Sequence, residues 1–384
     1  MKSFFILFII ITLTIYTSVN AYIFIRGYQS LPASAPFKIS YSVIFLFIAL
    51  SFIAGMFFPR AFNLEIPNWL VWVGFFWFAM ILYLFIGIFL VDIVRLLNYF
   101  FDFFPSSLYK NYGTVKLITA CSVFMISLLT VIFGYINAAS PQLKKLEVDI
   151  KANASKLKKL ECIFMSDIHL GTIINHDRLS KIIEISNSVN PDIVLLGGDI
   201  LDQHISHVID RDLGDVMVNF KSKYGVFAVL GNHEYFGGYK AAIEYFEKYN
   251  IKFLTDAFTT IDNSFIVAGR HDASSERILN AKRKSINEIV SDNRQLPIIL
   301  LDHQPVNLAE AVKEKVSLQL SGHTHDGQLW PLTFITNHVW ELAYGHKKVE
   351  DTQFYVSSGV GTWGPPIRVG NKAEIVHITI NFVD

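Results

Sequence analysis

The sequence predicts an α-helical transmembrane region followed by an α/β domain, and three observations support this. Hydrophobic residues fill 52% of the 384 positions and charged residues 17%, against the roughly 25% charge of ordinary soluble chains. Residues 3–25, 39–59, 66–91 and 117–139 contain no charge. From residue 160 the pattern changes to short apolar runs that end in Gly or Asp and alternate with segments of helical spacing.

Each charge-free run is about as long as the ~20 apolar residues that a bilayer-crossing helix requires. The first is read as a span rather than a cleaved signal. Its apolar stretch exceeds the roughly 7–15 residues of a signal core, and three more spans come after it. Trp69, Trp72, Tyr99, Phe100, Phe101 and Tyr109 gather at the run ends, where such rings settle at the lipid–water interface. The expected division is a four-helix transmembrane region at 1–140, a Lys-rich linker at 141–158 and an α/β domain at 159–384. Four crossings return the chain to its starting side. That side carries Lys2, Arg60, Lys144, Lys145, Lys151, Lys156, Lys158 and Lys159, and the other carries Arg26, Lys38, Arg95, Lys110 and Lys116. The excess of positive charge favours a cytoplasmic domain in an integral membrane protein. The linker lysines would either meet anionic membrane lipids or simply stay solvated. The spans themselves hold no ionisable residue of the kind that marks a transport site.

With 33 basic and 33 acidic residues the formal charge is zero, which argues against a nucleic-acid partner. Cys121 and Cys162 are too few for a disulfide framework and read as buried thiols. In the second half, strands are expected at 160–165, 193–196, 226–230, 265–268, 297–301, 317–320, 353–357 and 374–382. Helices are expected at 176–189, 239–249, 276–293 and 306–315. Fully apolar strands between helices imply sheets buried on both faces.

The residues just past the strands carry the chemistry. The first strand leads to Ser166-Asp167-Ile168-His169 and the second to Gly197-Gly198-Asp199-Ile200-Leu201-Asp202. Later strands lead to Gly231-Asn232-His233-Glu234, to Asp302-His303-Gln304-Pro305, and to Ser321-Gly322-His323-Thr324-His325. Strand carboxyl ends are where open α/β sheets place their sites. Singly, each block has a plain structural reading as a hydrogen-bonded histidine, a helix cap or a turn. Together, carboxylate, amide and imidazole groups without a thiolate suit a divalent ion such as Mn, Fe, Zn, Co or Ni.

The ordered blocks Asp-x-His, Gly-Asp, Gly-Asn-His-Glu, His and Gly-His-x-His resemble the calcineurin-like metallophosphoesterase superfamily over residues 158–382. Residues 321–331 (SGHTHDGQLWP) and 357–368 (SSGVGTWGPPIR) are similar to its membrane-associated bacterial branch. That branch includes enzymes of the UDP-diacylglucosamine pyrophosphatase type, and their home is the bacterial cell membrane. Asp326 stands where the branch usually has Gly. The resemblance implies two mixed sheets packed face to face with helices outside (αββα), and two divalent ions, manganese first among the candidates. Asp167, His169 and His325 would hold one ion, and Asn232, His303 and His323 the other, with Asp199 bridging them. The expected substrate is a phosphodiester or pyrophosphate, lipid-linked or near the membrane. The alternatives are an anchored phosphomonoesterase and a catalytically silent metal-binding scaffold.

His233 comes directly after a predicted ligand and is read as general acid. By resemblance, Asp202 would hold and charge its imidazole, while Glu234 would hold the loop. Arg270, His271 and Asp272 read equally as substrate contacts or a local ion pair. Arg368 offers a fork suited to phosphate. His176, His204, His207, His338, His346 and His377 lack ligand spacing. Trp330, Trp340 and Trp363 read as packing, with an aromatic rim near the membrane as the second reading.

Overall fold

The computed structural model describes residues 2–62, 66–152, 155–202, 204–280, 282–290 and 295–383. They form two compact units that divide between Gly134 and Tyr135. The first unit contains α1 (Lys2–Ser30), α2 (Ala35–Phe62), α3 (Asn68–Phe101), the short α4 (Ser106–Lys110) and most of α5 (Tyr112–Ala138). Among the described residues, four helices are long and apolar enough to cross a membrane, over Ile9–Ser30, Ala35–Gly55, Asn68–Phe101 and Tyr112–Ala138. Helices are the natural outcome for these runs, because a helix satisfies every backbone group without water. At Gly74 of α3 a side chain would stand 2.7 Å from the Cα of Phe52, so the glycine lets α2 approach. Trp77 donates to Asn20 at 3.0 Å and ties α3 to α1. α3 continues past the charge-free run, and there Asp92 meets Arg26 at 2.7 Å and the Tyr22 hydroxyl at 2.6 Å. Cys121 is exposed on α5, against expectation, while Cys162 is buried. The outer face of a membrane helix meets lipid, so an apolar environment does not require burial in protein.

The second unit is an α/β domain built on two mixed sheets. The first contains β1 (Gln142–Lys151), β2 (Lys159–Met165), β3 (Ile193–Leu196), β4 (Val226–Ala228), β5 (Ile251–Phe253) and β12 (Glu374–Val383), in the order β1-β12-β2-β3-β4-β5. The second contains β6 (Ala257–Ile261), β7 (Phe265–Gly269), β8 (Ile298–Leu301), β9 (Leu318–Ser321), β10 (Gly345–Val349) and β11 (Thr352–Val356), in the order β10-β11-β9-β8-β7-β6. Phe164, Leu195 and Ile378 of the first sheet share one buried cluster with Val267, Ile299 and Leu320 of the second, so the sheets pack face to face. On the far side of the second sheet, Ile266 and Leu300 pack against α11 (Ile286–Val290) and α12 (Leu308–Lys313). The remaining helices are α6 (His176–Asn187), α7 (Ser206–Ile209), α8 (Asn232–Gly237), α9 (Tyr239–Glu247), α10 (Ser275–Leu279) and α13 (Thr333–Val339). Asn175 caps α6 by accepting from the Arg178 amide.

Two expectations are corrected. Most of the segment read as a linker is β1, paired in parallel with β12 from Gln142↔Glu374 to Lys151↔Val383. Val148 and Ile150 point into the core between Glu147, Asp149 and Lys151, the alternation of an edge strand with one wet face. The helix expected at 276–293 is divided. Asn280 adopts φ 52°, a left-handed cap that ends α10 before α11 begins. Residues 281 and 291–293 of that expectation lie outside the described set.

Candidate metal centre

Five strands of the domain deliver the candidate side chains from their carboxyl ends. β2 leads to Asp167 and His169, β3 to Asp199, β4 to Asn232 and His233 at the start of α8, β8 to His303, and β9 to His323 and His325. The chain must turn sharply at each exit to present them. Asp167, His169, Asp199, His323 and His325 adopt φ between 50° and 72°. Asp and His enter this left-handed region more readily than most residues, at a cost of order 1–3 kcal/mol each that the surroundings must offset. Backbone bonds do so: Asp167 donates to Gly198 at 3.0 Å, His169 to Asp199 at 3.0 Å, and Gly322 to His303 at 2.9 Å. Two glycines are required by proximity. A side chain at Gly231 would run into the Asp199 carboxylate, and one at Gly322 into Ser166 and the Asp167 carboxylate.

The side chains form three overlapping groups: Asp167, His169 and His325; His169, Asp199 and His233; and Asp199, His303 and His323. Within each, potential ligand atoms lie within 4.8 Å of one another. His169 Nε2 lies 3.1 Å from His325 Nε2, and His325 Nε2 lies 3.4 Å from Asp167 Oδ1. His303 Nε2 stands 3.2 Å from Asp199 Oδ2, a close approach without hydrogen-bond geometry. Its other nitrogen donates to the Gly197 carbonyl at 2.7 Å, which fixes the ring and leaves Nε2 facing the site. Asn232 Oδ1 is buried and has no hydrogen-bond partner among the described residues. A buried orphan acceptor demands explanation, and a divalent cation satisfies it together with the opposed imidazole nitrogens. The residues fit divalent metal ligation by nitrogen and oxygen donors.

Burial governs the local acid–base behaviour. It pushes Asp167 up to about 6 and holds His169 and His325 well below the ordinary histidine range, as neutral donors. It also lowers His323 to about 4, with His303 contributing. Burial opposes charge on His303 too, but Asp199 outweighs it and raises His303 well above its ordinary value. The same pair holds Asp199 well below the carboxylate range despite burial. For His233, burial is again outweighed, by Asp199 first and then the Asp202 carbonyl and carboxylate, and the net shift is upward.

The surrounding groups hold this arrangement. Glu234 is fully buried and accepts from the amides of Asp199 (3.0 Å), Leu201 (2.8 Å) and Gly231 (2.7 Å), which joins the β3 and β4 exits. Burial, then Asp199, raises Glu234 to about 7. His233 donates from its amide to Asp199 at 2.8 Å and from Nδ1 to the Asp202 carbonyl at 2.6 Å. Asp202 therefore meets His233 through its backbone, while its carboxylate lies 3.8 Å from His169 Nδ1. Arg270 pairs with Asp302 and Glu310, each at 3.2 Å, and Arg283 reaches Asp302 at 2.9 Å, so the residue before His303 is fixed from two sides.

Arg368 is no phosphate fork. It is fully buried and donates to the carbonyls of Ser358 (2.5 Å), Gly359 (3.1 Å), Gly361 (2.8 Å) and His325 (3.4 Å) and to Asn371 Oδ1 (3.1 Å). Burial lowers its pKa to about 10. It fastens the C-terminal loop under His325. Asp326 sits at φ 49°, which explains the advantage of Gly there.

The structure thus brings Asp167, His169, Asp199, His303, His323, His325 and His233 together at the carboxyl ends of strands from both sheets, with Asn232 beside them at the start of α8 and the Asp202 backbone behind His233. Sequence reasoning left Asp272 between a substrate contact and a local ion pair, and missed its role as a buried acceptor. It is fully buried and accepts from the Ser274 amide at 2.8 Å and from Gln304 at 3.0 Å, which links it to the loop after His303. The carbonyl role of Asp202 could not have been found from spacing, because backbone groups leave no mark on residue identity.

A family profile described as calcineurin-like phosphoesterase matches residues 161–327. The chain is 34% identical over 280 residues to an uncharacterized metallophosphoesterase of Campylobacter jejuni, covering 71% of this chain and 72% of that protein. It is 32% identical over 250 residues to a Helicobacter pylori metallophosphoesterase, covering 64% and 65%. A Danio rerio transmembrane protein with metallophosphoesterase domain is 29% identical over 272 residues, covering 67% of this chain but only 61% of that protein.

Proposed function

This chain belongs to the calcineurin-like metallophosphoesterase family, so its second unit is a metal-dependent phosphoesterase domain carried by a membrane protein, and from that premise we propose that it hydrolyses a phosphodiester or pyrophosphate with two divalent ions. Asp167, His169 and His325 would hold one ion, Asn232, His303 and His323 the other, and Asp199 both. The observation that carries the reading is the convergence of Asp167, His169, Asp199, His303, His323 and His325 in groups whose ligand atoms lie within 4.8 Å of one another, with the buried Asn232 oxygen unpartnered. When bound, paired ions supply charge neutralisation at the phosphoryl group and activation of a water.

The chain's own residues do the rest. Glu234 holds the β3 and β4 exits in register, so that Asp199 and Asn232 converge. His303 is oriented by Gly197, and His325 by the loop that Arg368 fastens. His233 acts as general acid. Its Nδ1 proton is committed to the Asp202 carbonyl, which leaves Nε2 to deliver a proton to the leaving oxygen. Asp202 is a positioning residue. The substrate is phosphorylated and lipid-linked or membrane-proximal, since four apolar helices are more than a tether needs. A division into apolar helices and a catalytic domain that includes β1, and the cytoplasmic placement of that domain, are part of this proposal. The latter rests on the positive residues around α1, α2 and β1.

The test uses the full chain purified in detergent, stripped of metal and reloaded with manganese. Hydrolysis of bis-p-nitrophenyl phosphate is compared with that of the monoester. Metal-dependent preference for the diester is expected. Faster monoester turnover would replace the reading with an anchored phosphomonoesterase, and no turnover with any divalent ion bound would leave a scaffold.

A further inference from the structure

Independently of the substrate, we propose that α13 and its flanking tryptophans, Trp330 and Trp363, dock the second unit on a lipid bilayer, inserting at the boundary of headgroups and acyl chains. No residue of α13 is buried. Phe334, Ile335 and Val339 are 67%, 59% and 65% exposed, and Trp330 and Trp363 are 48% and 53% exposed. Ile335 and Val339 stand four apart on one face, with Phe334 beside them, and α13 holds no Lys, Arg, Asp or Glu. Grouped apolar side chains of this size mark an interaction surface.

Backbone bonding makes this one surface. Gln328 exchanges two hydrogen bonds of 2.9 Å with the Trp363 backbone, and the Trp330 amide donates to Val369 at 2.8 Å. The segment containing Val369 identifies lipid as the occupant. Asn137, in the last turn of α5, donates to the carbonyls of Arg368 at 2.9 Å and Asn371 at 2.7 Å. α5 is one of the helices fit to cross a membrane. The loop that carries Trp330 is therefore hydrogen-bonded to the segment held by the last turn of a helix fit to cross a membrane, and that membrane is the apolar medium proposed for it. Tryptophan beside aliphatic and phenyl groups is the composition that settles at that boundary. The surface also adjoins the site, because Trp340, which ends α13, meets the His323 ring edge-on with centroids 5.3 Å apart. Docking would hold the metal centre at the lipid surface.

The test is a depth measurement that does not depend on turnover. The full chain carrying Cys121→Ser and Cys162→Ala is spin-labelled at Phe334→Cys or Ile335→Cys, with Lys313→Cys on α12 as the exposed control, in one-chain phosphatidylcholine nanodiscs. Relaxation by oxygen is compared with relaxation by a water-soluble nickel chelate. Labels at 334 and 335 are expected to respond to oxygen and resist nickel, while the label at 313 responds to nickel. Equal nickel access at 334, 335 and 313 would overturn docking. Labels shielded from both reagents would show a protein partner or second copy instead, which overturns it equally.

Discussion

His325 and Trp330 are close in sequence but belong to opposite kinds of surface. At the metal centre, Asp167, His169, Asp199 and His303 are at most 2% exposed, several adopt left-handed φ, and each is fixed by backbone or carboxylate partners. At α13, Phe334, Ile335 and Val339 are apolar and largely exposed. The first region is polar chemistry held against its own preference by its surroundings. The second is apolar surface that the described residues leave uncovered. A residue at the centre therefore acts through position, and one at α13 through the medium it meets. Substitutions at the centre should be costly in proportion to how many partners they release.

The largest effect is expected at Asp199, which belongs to two of the three groups. Asp199→Ala should lower diester turnover by about 10³-fold or more, with loss of bound metal measured by elemental analysis. Retained metal would show that the two ligand groups do not depend on a shared carboxylate. His233→Ala comes next, with turnover reduced by roughly 10²–10⁴-fold and metal content unchanged, because only the proton donor is lost.

Arg368→Met sharpens the comparison from the structural side. Removing its buried guanidinium strands the carbonyls of Ser358, Gly359 and Gly361, so unfolding in detergent should become easier by about 3 kcal/mol. A variant of unchanged stability with weakened substrate affinity would restore the phosphate-binding reading. The smallest effect is expected at Asp326→Gly. Relief of the φ 49° backbone is partly cancelled by glycine's greater freedom when unfolded, leaving a change within about 1 kcal/mol and unaltered turnover.

The interior of the fold was legible in the sequence because its strands are mostly buried apolar runs. β2, β3, β7, β8, β9, β11 and β12 all fall within two residues of their expected places. The strands that sequence reasoning missed, β1, β5, β6 and β10, are the four sheet edges. An edge strand has one neighbour and exposed positions, so it carries charge, as in Lys144–Lys145 and Lys347–Lys348, and reads as a loop. The centre was legible for a different reason. Its side chains are unusual at strand ends, and Asp-x-His and His-x-His repeat that anomaly. The features that stayed hidden depended on tertiary placement. Arg368 could be told from a phosphate ligand only by its burial, and Asp202 acts toward His233 through a carbonyl that every residue possesses.

If this ligand set holds two ions while His233 serves the chemistry and not the metal, removal of His233 separates metal content from turnover. The most direct measurement is manganese content per chain alongside diester turnover, for the intact protein and His233→Ala. Two ions per chain are expected in both, with turnover in His233→Ala lower by roughly 10²–10⁴-fold. A single ion in the intact protein, or undiminished turnover in His233→Ala, would contradict this assignment.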